Sequence, residues 1–127
     1  MKATTREWVE KAEADYDAAL LLRPSRKRHA RDIVCFHLQQ CVEKYLKARL
    51  EEAGLSFPKT HDLEQLLALT LALEPKWAAL RPEMAALTDY AVEVRYPGRT
   101  ASSTETRRLF RATARVRRLI RKNLGLP

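Results

Sequence analysis

Residues 31–37 read RDIVCFH: an arginine, five residues, then a histidine. A guanidinium that stays charged and an imidazole that titrates near neutral pH can be the two halves of an acid–base site on RNA. Helical geometry argues against that pairing. Six steps of about 100° leave Arg31 and His37 about 120° apart around a regular helix, so their side chains diverge. The match is one of text alone. Polar residues further along the segment are more regular: His37, Gln40, Lys44, Lys47 and Glu51 recur at spacings of three or four and form one stripe. Such a stripe can hold a phosphate, line a polar subunit contact, or be an exposed face with no further role. His61 beside Asp62 has the form of a helix-start pair, where capping competes with chemistry as the explanation. Arg95 and Tyr96, just before Pro97, place a charged fork and a phenol where they can reach a phosphate or a partner; a tyrosine stacked on the proline is the alternative.

A second concentration of charge lies near the end. The chain carries a net charge of +8, and Arg107, Arg108, Arg111, Arg115, Arg117, Arg118, Arg121 and Lys122 crowd its last segment. At about 100° per residue, all but Arg117 share one arc, with Leu109, Ala112, Val116, Leu119, Ile120 and Leu124 on the other side. The arc is either a nucleic-acid or phosphate footprint or a solvated face balanced by acids of the first helix. No aromatic residue interleaves with these arginines, so no base-stacking platform is visible. A glycine-rich phosphate loop and Cys/His clusters at metal spacing are absent, and no cofactor is expected.

The elements that position these residues are helices. Ala, Leu, Arg and Glu dominate, and glycine occurs only at 54, 98 and 125. The 127 residues suit one domain with one core. Thr4 with Glu7 has the spacing of a capping box, followed by Trp8, Val9, Ala12, Tyr16, Ala19 and Leu20 on one face. Pro24 ends that helix and Ser25 can cap the next, which runs to about Ala53 with Gly54 in the left-handed stop position. Thr60 is a plausible N-cap for a short helix through Leu73. Pro75 opens another segment, Pro82 kinks or restarts it, and its end is expected near Arg95, ahead of Pro97. Ser102 with Glu105 forms a second capping box for a last helix to about Leu124. Cys35 and Cys41 are too far apart on one helix for a disulfide and read as buried thiols. No apolar run has the length of a membrane span, and no signal-peptide core is present, so a cytoplasmic location is expected.

Three segments, FHLQQCVEKYLKARL, KTHDLEQLL and VRYPG, resemble in that order the hallmarks of the HEPN family, whose name abbreviates "higher eukaryotes and prokaryotes nucleotide-binding". The opening WVEKAEADYDAA is similar to that family's first helix. The resemblance implies an all-α, antiparallel four- to five-helix bundle, commonly dimeric. Many such proteins are similar to the partner of a separately encoded minimal nucleotidyltransferase. Some members are ribonuclease toxins, and others bind nucleotides without cutting anything. Ribonuclease members carry Arg, a short spacer and His near the late helices. Here Arg95 stands in that region, and no histidine follows it.

The resulting expectation is a non-catalytic binding protein, a homodimer that partners a nucleotidyltransferase chain or binds a nucleotide. Its candidate residues are His37, Gln40, Lys44, Lys47, His61, Arg95 and Tyr96. The alternatives are a ribonuclease with a degenerate Arg–His motif and an RNA-binding protein that uses the basic last helix. The homodimer expectation also draws on two apolar stretches, LLALTLAL and MAALTDYAV, that look richer than one core requires.

Overall fold

The structure, a computed structural model of the chain, describes residues 1–91 and 97–127. Five α-helices and one 3-10 segment account for its regular structure, and no strand occurs among the described residues. Helix α1 spans Ala3–Leu22, α2 Ala30–Glu52, α3 Leu63–Thr70, α4 Arg81–Thr88 and α5 Ser103–Asn123; the 3-10 segment is Pro75–Leu80.

Helix α2 is the axis of the bundle. It touches α1, α3, α4 and α5, and fourteen of its 23 residues are buried. A helix enclosed this far cannot keep all its polar residues in water, so those turned inward must find partners. Helix α1 lies antiparallel to it: Thr5 meets Glu52 at one end and Asp15 meets His37 further along. Helix α5 runs in the same direction as α2, because Ala101 just before it reaches Asp32 while Arg121 near its end reaches Tyr45. The segments that precede α2 and α5 therefore lie at one pole.

Several helix boundaries follow from local chemistry. Gly54 adopts φ +72 beyond α2, and the Leu55 and Gly54 N–H groups donate to the Leu50 and Glu51 carbonyls at 3.0 and 3.1 Å. This is the left-handed stop expected there. Ser102 caps α5, its hydroxyl accepting from the Glu105 N–H at 3.0 Å.

Others depart from the expected caps and ends. Thr4 forms no capping box with Glu7. Helix α1 begins at Ala3, and the Thr4 and Thr5 hydroxyls donate instead to Glu51 and Glu52 at 2.8 and 2.9 Å. Glu52 also accepts from the Lys2 N–H at 2.9 Å, so the end of α2 caps the start of α1. Ser25 does not cap α2; its hydroxyl accepts from the Lys27 N–H, and the helix starts five residues later behind His29. Asp62, not Thr60, caps α3, accepting from Glu64 and Gln65. That helix stops at Thr70, short of Leu73, as the Leu73 and Glu74 N–H groups both turn to the Thr70 carbonyl. Helix α4 stops at Thr88, well short of Arg95. Tyr90 and Ala91 close tighter i−3 bonds there, and the Thr88 hydroxyl is held between the Met84 carbonyl and the Leu63 N–H.

The apolar stretches thought to exceed one core are largely absorbed by it. Leu66, Leu67, Met84, Leu87 and Tyr90 are buried within the single chain. Among the described residues, the exposed large apolar side chains are Met1, Leu20, Leu21 and Leu55, which lie outside both stretches. Leu69, Leu71 and Leu73 of the first stretch stay half-buried, and Val92 of the second lies outside the described residues.

Candidate functional site

The stripe on α2 faces other parts of the same chain. Asp15 of α1 sits between two of its members: His37 Nδ1 lies 2.9 Å from Asp15 Oδ1, and Lys44 Nζ pairs with Oδ2. A second network centres on Glu43, whose side chain is 4% exposed. Lys47 Nζ donates to it at 3.1 Å, His61 Nδ1 lies 2.8 Å from it, and Gln39 donates to it at 3.2 Å. Gln40 joins through Gln39, donating to its side-chain carbonyl at 2.7 Å. Lys47 is itself 8% exposed and lies over the Trp8 ring. The structure thus gathers His37 with Lys44, and Lys47 with His61, around separate carboxylates. Each lysine would have to break an ion pair to meet a phosphate. Of the remaining candidates, Arg95 and Tyr96 lie outside the described residues.

Arg31 and His37 are not brought together. Arg31 is exposed and lines a cavity beside the α1–α2 turn, whereas His37 turns to α1.

Helix α5 divides its cations into two sets. Arg117 turns inward and grips Glu13 with two 2.7 Å hydrogen bonds. Arg121, assigned from sequence to the outward arc, also turns inward: it approaches Glu13 at 3.6 Å and donates to the Tyr45 hydroxyl at 3.2 Å. The Arg117 guanidinium holds the Glu13 carboxyl below its ordinary value, with help from the Tyr45 hydroxyl. Burial, reinforced by Glu13, pushes the Tyr45 phenol up. Cys41 is likewise pushed up by burial, and both cysteines are buried thiols outside any disulfide, as expected.

The outward set is Arg107, Arg108, Arg111, Arg115, Arg118 and Lys122, all exposed. None pairs with a carboxylate among the described residues. Arg108, Arg111, Arg115, Arg118 and Lys122 climb the helix at about one turn, or 5 Å, per step. Four of the six, with Thr104, Ala112 and Glu83 of α4, line a groove of about 570 Å³. Glu83 Oε2 is buried there without a hydrogen-bond partner. Such a surface can bind a polyanion.

One further basic surface escaped the sequence reading. The run from Arg26 to Arg31 holds five basic residues in six positions. It lines the cavity beside the α1–α2 turn. Its signal was simple charge density, masked by the larger cluster at the end.

The described helices form an all-α bundle with a central, polar-networked helix and one strongly basic outer helix. The family model described as HEPN domain matches residues 5–123. The chain belongs to the HEPN family. No curated protein and no solved structure matches it. Among the described residues, no helix is long and apolar enough to cross a membrane.

Proposed function

We propose that this HEPN domain is a binding module that holds the phosphates of a nucleotide or an RNA strand on the outer face of α5, and binds without cutting. The observation that carries the reading is the contrast between the two candidate surfaces. The lysines of α2 are spent on Asp15 and Glu43, while the outward cations of α5 have no acidic partner among the described residues. Unpaired arginines in a groove form bidentate, charge-assisted hydrogen bonds with phosphate oxygens. The absence of any histidine after Arg95 supports binding rather than Arg–His cleavage.

Calorimetric titration with nucleoside triphosphates and a short oligoribonucleotide tests the site. Wild type and Lys44→Ala should bind alike, and Arg111→Ala/Arg115→Ala should lose binding of the oligoribonucleotide. Loss in Lys44→Ala alone places the site on α2, and no binding by wild type at millimolar ligand overturns the proposal. Single-stranded RNA should also survive incubation with the protein. Cleavage abolished by both Arg31→Ala and His37→Ala would show a ribonuclease.

Family membership favours a second reading, in which a homodimer pairs with a separately encoded minimal nucleotidyltransferase. The basic face of α5 then meets an acidic face of that partner. Sedimentation across micromolar concentrations tests the dimer, and a concentration-independent monomer overturns it.

A further inference from the structure

We infer that the cavity between the α1–α2 turn and the segment before α5 is a second anion site, distinct from the α5 groove, which takes a terminal di- or triphosphate group. Its volume is about 290 Å³, and its wall includes Arg26, Lys27, Arg28, His29 and Arg31. Among the described residues the only carboxylate in the wall is Asp32, which is buried and already engaged: Oδ1 accepts from the Ala101 N–H at 2.8 Å. That bond fixes the far wall of the cavity to α2. None of the four full cations has a carboxylate partner among the described residues.

A basic run on an extended loop would splay its charges into water. This one is folded back on itself. The Ser25 N–H donates to the Leu22 carbonyl at 3.0 Å, and the Lys27 N–H to the Ser25 hydroxyl at 3.2 Å. The Ala30 N–H then donates to the Lys27 carbonyl at 3.2 Å. His29 closes the turn at φ +68, a left-handed conformation that a non-glycine residue adopts only against steric cost. The turn therefore gathers like charges around one hollow, and their repulsion opposes the fold. A multivalent anion in the hollow reverses the sign of that interaction.

Size and chemistry narrow the ligand. Pockets that enclose drug-sized molecules run from about 300 to 1,000 Å³, so this cavity suits a phosphate group and its water rather than a base and sugar together. Among the described residues no Phe, Tyr or Trp lines it, so no broad base-stacking platform stands in the wall. Several guanidiniums and an ammonium around one point match the charge density of a di- or triphosphate better than that of a single internal phosphodiester. Two sources present such a group: a free nucleotide and the 5′ end of an unprocessed RNA.

Inorganic pyrophosphate is the probe, titrated by calorimetry into the full chain. Arg26→Ala/Arg28→Ala should weaken the tight site by about tenfold or more, while Arg111→Ala/Arg115→Ala should leave that site unchanged. Both arginines are exposed and pair with no carboxylate among the described residues, so the first variant should melt no lower than wild type, which circular dichroism checks. Arg31→Gln probes the same wall from α2 should the double variant fold poorly, and it too should weaken the site. Pyrophosphate binding that neither Arg26→Ala/Arg28→Ala nor Arg31→Gln alters would overturn the inference, as would no binding by wild type at millimolar pyrophosphate. Binding lost only in the Arg111/Arg115 variant overturns it while sparing the α5 proposal. Binding lost only in the Arg26/Arg28 variant supports the inference, and the oligoribonucleotide titration then decides the α5 proposal separately. Titration of a nucleoside triphosphate, and of oligoribonucleotides bearing 5′-triphosphate or 5′-hydroxyl, then tells free nucleotide from RNA end.

Discussion

Replacing Glu43 by leucine removes the acceptor shared by Lys47, His61 and Gln39. Lys47 is left with its ammonium at 8% exposure and without a counter-charge. Breaking a buried ion pair by removing one partner costs about 3–5 kcal/mol, because the desolvation of the remaining charge is no longer offset. An unfolding entropy of about 2.1 cal/mol/K per residue over this chain makes that a fall in Tm of about 10–20 °C. Glu43→Leu/Lys47→Met removes both charges and keeps the volume apolar, so it should recover most of the loss. Thermal melts of wild type, both single variants and the double variant give the coupling energy directly. The cycle also bears on function. If the α2 network is structural, nucleotide affinity per folded molecule should be the same in Lys47→Met as in wild type. A fall of less than about 4 °C in Glu43→Leu, or a double variant as unstable as that single one, would refute the reasoning.

Three further outcomes are expected. For a single-stranded oligoribonucleotide followed by fluorescence anisotropy, the slope of log K against log salt should shrink by about 1.4 in Arg111→Ala/Arg115→Ala, at about 0.7 per lost phosphate contact; an unchanged slope removes these arginines from the interface. Glu83→Gln should raise the affinity of the α5 groove for pyrophosphate several-fold, since a carboxylate in its wall repels the anion, and weaker binding in that variant would count against this geometry. Glu13 is held below its ordinary value of 4.5 by Arg117, so its contribution to stability is present above that value and is lost as pH falls through the lowered one. Melts from pH 6 downward should therefore show an acid-side loss that is smaller in Arg117→Met; identical profiles would show that the pair is not the source.

The sequence by itself determined what depends on neighbours within one helical turn. Helix content follows from composition and period, the left-handed stop of α2 from Gly54, and the start of α5 from Ser102. The regularity of His37, Gln40, Lys44 and Lys47 was legible in the same way, as were the segments that carry the family resemblance. Only the tertiary structure decided where those side chains spend their charge. A residue 22 and 29 positions away on the chain occupies the stripe: Asp15 holds both His37 and Lys44. A hundred-residue separation likewise hides the pairing that turns Arg117 inward. The same cause moved the start of α1, where Glu51 and Glu52 replaced the local capping box. Periodicity gives a side chain's direction around its own helix, but whether it faces water, a carboxylate or a ligand depends on which helix is packed beside it. That adjacency is fixed by burial of the whole core, to which every helix contributes at once.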